Sequence, residues 1–396
     1  MSLPPPSPLA AHWDLDPEIT FLNHGSFGAC PRVVLAMQQQ WRARLEREPV
    51  LFLHRQLEPL LDEARHRLAS FVGSDPEDLA FVPNATTGVN TVLRSLAFAA
   101  DDELLVTDHE YNACRNVLDF VAARSGAKVV TAPIPFPITS ADEVIDAVMS
   151  RVTARTRLLL IDHVTSPTGL VMPVARLVAL LAERGVDTLI DGAHAPGMLP
   201  LDLAAIGAAY YTGNCHKWLC TPKGSALLHV RRDRQQRVRP LAISHGANSP
   251  RTDRSRFRLE FDFGGTGDPT PLLCVPAALD FLESLLPGGI AALQRHNHEL
   301  ALAGRALLCE RLATAEPAPA SMIGSLATVI LPPSAAPGLG PLGLDPLQVR
   351  LFDRHRIEVP VMRWPTPELR LLRISPQAYN SLPQYEALAA AVAAET

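Results

Sequence analysis

Two residues of this chain are spaced so that their chemistry is coupled. Asp191 closes the apolar run Thr188-Leu189-Ile190 and opens Asp191-Gly192-Ala193-His194. Lys217, in His216-Lys217-Trp218, follows 26 positions later, one apolar run further along. A lysine held between two strands is desolvated, keeps a free amine more readily, and can form a Schiff base with an aldehyde. A carboxylate placed against a pyridine nitrogen keeps a proton on it, and without that proton the ring is a poor electron sink. The pair therefore points to pyridoxal 5'-phosphate. Lys223 is the rival amine nearby, but Thr221-Pro222-Lys223-Gly224 reads as a turn.

Other residues fit around that pair. Asn84-Ala85-Thr86-Thr87-Gly88 joins a strand to a helix whose Val89, Val92, Leu93 and Leu96 form one apolar face. The start of such a helix either binds an anion, such as a phosphate, or is simply capped by a threonine. Asn214 and His216, just before the lysine, are polar groups within reach of the same phosphate. Tyr111, in Asp108-His109-Glu110-Tyr111, serves either to stack on a cofactor ring or as a wall residue. Arg373 offers a fork for a substrate carboxylate or, equally, a salt bridge between domains. His163, Asp191, His194 and His216 lack the fixed short spacing of metal motifs, and a lysine beside His216 repels a cation, so no metal is expected.

The elements that must position these residues are short apolar runs between helical patterns. Leu79–Val82, Glu103–Val106, Arg157–Ile161, Thr188–Ile190, Tyr210–Tyr211 and Ala226–Leu228 read as buried strands. Val174–Arg184 reads as a helix stopped by Gly185. Alternating strands and helices imply an α/β fold with a mainly parallel sheet, whose ligands sit beyond the strands' carboxyl ends. Asn84, Asp108, Asp162, Asp191 and Asn214 each follow a strand and are expected to converge there. Pro287-Gly288-Gly289 reads as a hinge, dividing an N-terminal extension (1–20) and a large domain (21–286) from a smaller α+β domain (287–396). Ser334–Gly343 reads as a proline- and glycine-rich loop, and Leu369–Ser375 as a strand.

Composition narrows the function further. The 396 residues carry a net charge of −5, which argues against a nucleic-acid binder. The arginine-rich stretches Arg231–Arg239 and Arg251–Arg258 are then solvated loop charge or subunit contacts. No apolar run is long enough to span a membrane, and the proline-rich N-terminus lacks the layout of a signal peptide. Six scattered cysteines without a CxxC pair fit free thiols and a cytoplasmic location.

From Phe21-Leu22-Asn23-His24-Gly25-Ser26-Phe27-Gly28 to Leu372-Arg373-Ile374-Ser375 the chain resembles class V enzymes of the fold-type I pyridoxal-phosphate group, most of all isopenicillin-N epimerase-like proteins. The motifs that carry the resemblance are Asp108–Tyr111, Asp191–Gly197 and His216–Trp218. It implies a seven-stranded, mainly parallel sheet between helices and a homodimer with shared active sites. It implies Lys217 as the Schiff-base residue, Asp191 at the pyridine nitrogen and Tyr111 stacked on the ring. His194 and Ser166 fall near the phenolic oxygen, and Ala85, Thr86, Asn214 and His216 at the phosphate. Thr266 would reach the partner's phosphate, and Gly267 stands where relatives often carry an arginine. Arg373 and Asn23 would hold a small amino-acid-like substrate. No cysteine follows Cys309, so the persulfide-forming thiolate of the desulfurases is lacking. The expected reaction is epimerisation or racemisation at Cα. The alternative is a carbon–sulfur lyase of the hercynylcysteine sulfoxide type, followed by transamination or non-catalytic cofactor binding. Tyr111 or His109 is the candidate second acid.

Overall fold

The computed structural model describes residues 3–333 and 343–396, so all but the last residue of the Ser334–Gly343 loop lies outside the described residues. Seven strands form the central sheet: β1 (Leu79–Val82), β2 (Glu103–Thr107), β3 (Lys128–Ala132), β4 (Thr156–Asp162), β5 (Asp187–Asp191), β6 (Tyr210–Asn214) and β7 (Ala226–Val230). Their order is β1-β7-β6-β5-β4-β2-β3. The neighbours from β6 through β3 pair in parallel, and β7 runs antiparallel to both β1 and β6. The connection between β6 and β7, residues 215–225, contains no crossover helix, so the chain returns antiparallel. Lys217 is carried on that connection, at the carboxyl end of β6.

The apolar runs alternate between two cores, as expected of strands buried on both faces. Leu105, Leu159, Ile161, Ile190 and Tyr211 point into one, and Leu104, Val106, Leu158, Leu160, Leu189 and Tyr210 into the other. The strand read least well from sequence is β3. It is the sheet edge, with Lys128 exposed and the next three residues only partly covered, so its sequence lacks an apolar run. Helices α1 (Ala85–Ser95), α2 (Asn112–Ser125) and α3 (Val174–Ala182) follow β1, β2 and β4, although another helix and β3 also intervene along the chain. At Gly88 of α1 an added Cβ would lie 2.1 Å from Thr212 Oγ1. The helix thus packs against β6 more closely than a side chain would allow.

Pro287-Gly288-Gly289 lies between the helix Val275–Leu285 and the long helix α4 (Gly289–Leu312). Beyond it, β8 (Ala327–Ile330), β9 (Val361–Arg363) and β10 (Arg370–Ile374) form an antiparallel sheet with β10 in the middle. The C-terminal helix α5 (Leu382–Glu395) packs on α4. Thr20 and Phe21 pair in parallel with Ile357 and Glu358, so the segment before the large sheet is anchored on the C-terminal part.

The two arginine-rich stretches are tied into ion pairs within the chain. Arg232 meets Asp75 and Asp78, Arg234 meets Asp187, and Arg251 and Arg254 meet Glu58. Among the described residues no single helix is long and apolar enough to cross a membrane.

Candidate active site

The carboxyl ends of β1, β4, β5 and β6 and the loop after β6 enclose a cavity of about 140 Å³. Asn84, Ala85, Thr86, Tyr111, Asp162, Ser166, Asp191, His194, Asn214, His216 and Lys217 line it, with Ser26 and Phe27 from the N-terminal segment. Asp108, expected in the same crevice, is turned aside: its Oδ1 accepts the Ile134 N–H at 2.9 Å. His109 is also absent from the lining. It is fully buried, with ring nitrogens 2.9 Å from Thr168 Oγ1 and 3.2 Å from the Ile134 carbonyl oxygen, and its ring packs on Trp364. That leaves Tyr111, 47% exposed at the mouth, as the second candidate acid.

Lys217 Nζ lies 3.1 Å from His194 Nε2. Burial, helped by the positive charge of Arg373, pushes the Lys217 amine down to about 7, so a neutral nucleophile is accessible near neutral pH. His194 is held well below the usual imidazole range, first by burial and then by the charges of Lys217 and Arg373, so it is neutral. Its Nδ1 is buried without a partner. Lys223 is engaged elsewhere and donates to the Gly28 carbonyl at 3.0 Å.

Asp191 and Asp162 are register partners at the ends of adjacent parallel strands, so the fold places two carboxyl groups side by side. Asp191 Oδ1 accepts the Ala193 N–H at 2.9 Å, and Oδ2 accepts the Cys114 thiol at 3.1 Å. Burial raises all three neighbouring acids, Asp191, Asp162 and Glu110, and the mutual charge raises Asp162 and Glu110 further. Among the described residues, both Glu110 oxygens and Asp162 Oδ2 are buried without hydrogen-bond partners. Asp191 has two donors and the nearby Lys217, so it is the member of this group best placed to carry the charge. Glu110 and Cys114 escaped the sequence reading. Their signal was present in a polar residue and a thiol flanking Tyr111 at the start of a helix, but only the fold brings them onto Asp191.

The start of α1 is capped by an asparagine and not by the expected threonine. Asn84 caps it by accepting the Thr87 N–H at 2.8 Å, and Asn214 Oδ1 accepts the Ala85 N–H at 2.8 Å. The cap and the lining are thus shared between β1, β6 and α1, and the positive end of the helix faces the cavity. His216, at the same edge, has its Nδ1 3.1 Å from the Ser225 carbonyl oxygen.

Arg373 is buried in the middle strand of the C-terminal sheet and reaches the cavity edge. It donates to the Ser166 carbonyl at 2.7 Å, to Ser166 Oγ at 3.2 Å and to Ser26 Oγ at 3.1 Å. Among the described residues it meets no carboxylate, and burial brings it down to about 10. A domain salt bridge is therefore not its role in this structure. Ser166 orients Arg373, and Asn23 acts one step behind: Asn23 Oδ1 accepts Ser26 Oγ at 2.6 Å while its amide donates to Glu358. Thr266 lies in a different cavity, of about 530 Å³, beside His54, His245 and Arg251.

An aldehyde, a phosphate and a protonated ring nitrogen match this set group by group. The cavity offers a desolvated amine, a helix N-terminus with Asn214, and a buried acid beside orphaned carboxyl groups. The stretch Arg356–Val361 holds the short strand Ile357–Glu358, paired with Thr20–Phe21, and no cysteine.

Comparison with known proteins identifies the family and the fold. The chain is 41% identical to the isopenicillin N epimerase of Amycolatopsis lactamdurans, covering 96% of this chain and 95% of that one. It is 32% identical to a probable chloroplastic L-cysteine desulfhydrase of Arabidopsis thaliana, covering 95% and 83%. Its fold is that of the cystine C–S lyase C-DES, whose structure carries glycine covalently linked to its PLP cofactor (TM-score 0.78, 22% identity, 95% and 96% covered). It is equally that of the Escherichia coli cysteine desulfurase CsdA (TM-score 0.77, 21% identity, 97% of each chain). Residues 19–322 match the aminotransferase class-V family, and the chain belongs to that family of enzymes.

Proposed function

We propose that this enzyme holds pyridoxal 5'-phosphate on Lys217 and epimerises or racemises an amino-acid centre at Cα. The observation that carries the reading is the shared cavity of Lys217, Asp191 and the α1 N-terminus beside a guanidinium, Arg373, that meets no acid among the described residues. The likeness to the epimerase over nearly the whole chain favours the reaction.

When bound, the cofactor supplies an aldehyde for amines and a protonated ring that accepts the electrons left when the Cα proton departs. Arg373 binds the substrate carboxylate as a fork and is held in that pose by Ser166 and Ser26. Lys217 takes the Cα proton on its own face. Asp191 holds the ring proton, while Glu110 and Asp162, crowded and desolvated, stay protonated and leave the charge to it. Ala85, Thr86, Asn214 and His216 would hold the phosphate, and His194 would contact the ring oxygen. Tyr111, at the mouth, would lie against the cofactor and supply the proton that returns to Cα. Thr266, remote from this cavity, serves the partner of a homodimer. Sedimentation velocity tests that assembly, and a monomer would refute it.

A second reading, β-elimination of a sulfur leaving group, is favoured by the plant desulfhydrase likeness and needs Lys217 alone. Incubation with amino-acid and thioether panels in D2O decides. Inversion with deuterium at Cα supports epimerisation. Pyruvate, ammonia and a released sulfur species support elimination. Cα exchange with neither outcome would sink both.

A further inference from the structure

The segment from Thr20 to Gly28 links the C-terminal part of the molecule to the lysine loop. Leu22 N–H donates to the Glu358 carbonyl, Ser375 N–H donates to the Leu22 carbonyl, and Asn23 bridges Ser375. At the other end Gly28 has φ +71, and an added Cβ would lie 2.2 Å from the His216 carbonyl oxygen and 2.9 Å from Lys217 Cα. The segment therefore rests directly on the main chain of Lys217.

At its centre is His24, fully buried. Its Nδ1 lies 2.8 Å from the Tyr379 hydroxyl, and its Nε2 lies 3.0 Å from the Lys217 carbonyl oxygen. The ring packs 4.9 Å, centroid to centroid, from Trp218. A carbonyl oxygen only accepts, so the 3.0 Å contact to Lys217 requires the proton on Nε2, and Nδ1 then accepts from Tyr379. Gln377 competes for the opposite tautomer. Its Nε2 lies 3.4 Å from His24 Nε2, and its Oε1 is fixed by donors from Asn297 and Ala378. Burial holds the ring at about 3, so it is neutral at working pH and its tautomer is chosen by its neighbours.

We propose that His24 is a positioning residue whose Nε2–H tautomer, required by the Lys217 carbonyl, is supported by donation from Tyr379, and that through it the C-terminal stretch bearing Arg373 holds the main chain of Lys217. This rests on the reading of Lys217 as the cofactor lysine. The consequence is that one stretch, from Arg373 to Tyr379, supports both the group that takes the substrate carboxylate and the backbone behind the reactive amine.

The test begins on the protein without cofactor. In a ¹⁵N-histidine-labelled sample, His24 is expected to show a protonated Nε2 and a bare Nδ1, and Tyr379→Phe is expected to move it toward the Nδ1–H form. Competitive acylation of lysines, read by mass spectrometry, is expected to show Lys217 altered in Tyr379→Phe relative to the other lysines. In the loaded enzyme Tyr379→Phe loses on the order of tenfold in kcat with KM held, as for a slightly misplaced reacting group. His24→Gln, which keeps a donor for the Lys217 carbonyl, recovers most of what His24→Leu loses. A bare Nε2 in the wild type overturns the proposal. So does a Tyr379→Phe variant with unchanged tautomer and unchanged Lys217 acylation. If the wild type takes up no pyridoxal phosphate, the cofactor reading fails while the tautomer measurement still decides this one.

Discussion

The two ends of the central sheet treat buried charge in opposite ways. At the amino ends every acid is met. Glu103 is bound by Arg155, Thr153 and Thr156, Asp187 takes a two-pronged contact from Arg234, and Asp102 accepts from Arg157. At the carboxyl ends the groups are crowded and left wanting. Glu110 and Asp162 have unpartnered oxygens, His194 has a bare Nδ1, and the Nε of Arg373 has no acceptor. One end spends its charges on the fold. The other gathers unsatisfied acids and cations, which cost stability and are available to a ligand.

The largest effect is expected at the reactive end. Lys217→Ala removes both the amine and the acid/base group, so turnover falls by roughly 10²–10⁴-fold or more. Borohydride then no longer fixes the cofactor to the chain. Trapping that survives the substitution would show that another amine does the work.

Asp191→Asn keeps the shape and one of the two acceptor oxygens but loses the charge. Turnover is expected to drop by about 10²–10³-fold. Cofactor uptake, measured by absorbance, should persist, which separates loss of electronics from loss of binding. An active Asp191→Asn enzyme would remove this acid from the ring.

The pH dependence of cofactor capture is a sharper test. Lys217 is depressed to about 7, so its neutral form dominates above that pH. The rate of imine formation in stopped-flow mixing should rise through about 7 and level off, rather than climb toward the range of a solvated lysine. A profile still rising at pH 9 would mean that the amine is not desolvated.

The smallest effects set the two ends directly against each other. Asp162 has a folded value raised by burial, so its stability cost appears as pH rises above the ordinary carboxyl range. Asp162→Asn is therefore expected to raise the melting temperature of the cofactor-free protein at pH 7, by on the order of 1 kcal/mol in stability, and less at pH 4. Glu103 has a folded value lowered by Thr153 and Arg155, so its contribution is present at neutral pH and lost as pH falls through that value. Glu103→Gln should lower the melting temperature by about 1–2 °C at pH 7, and by less in acid. Shifts of the same sign in both variants would break the contrast.

How much of this was legible follows from the kind of signal each feature leaves. Apolar runs ending in polar residues marked six strands of the sheet, and β3 was lost because an edge strand needs no apolar run. Lys217, Asp191 and the α1 start were readable because each sits at a fixed offset from a strand end. Asp162 and Asp191 meet because two such ends are neighbours in register. By contrast, no local pattern separates Asp108, which turns to cap Ile134, from the polar residues that do line the cavity.

The chain by itself determined the layered α/β architecture, the amine–acid pair and the family, since all three are written in local periodicity and short motifs. Only the tertiary structure decided that Arg373 has serines and no acid for partners, that a thiol touches Asp191, and that His24 joins Tyr379 to Lys217. Those contacts join residues 207, 347, 77, 355 and 193 positions apart. Hydrogen bonds across such separations carry no periodicity, and they exist only once packing has brought the elements together.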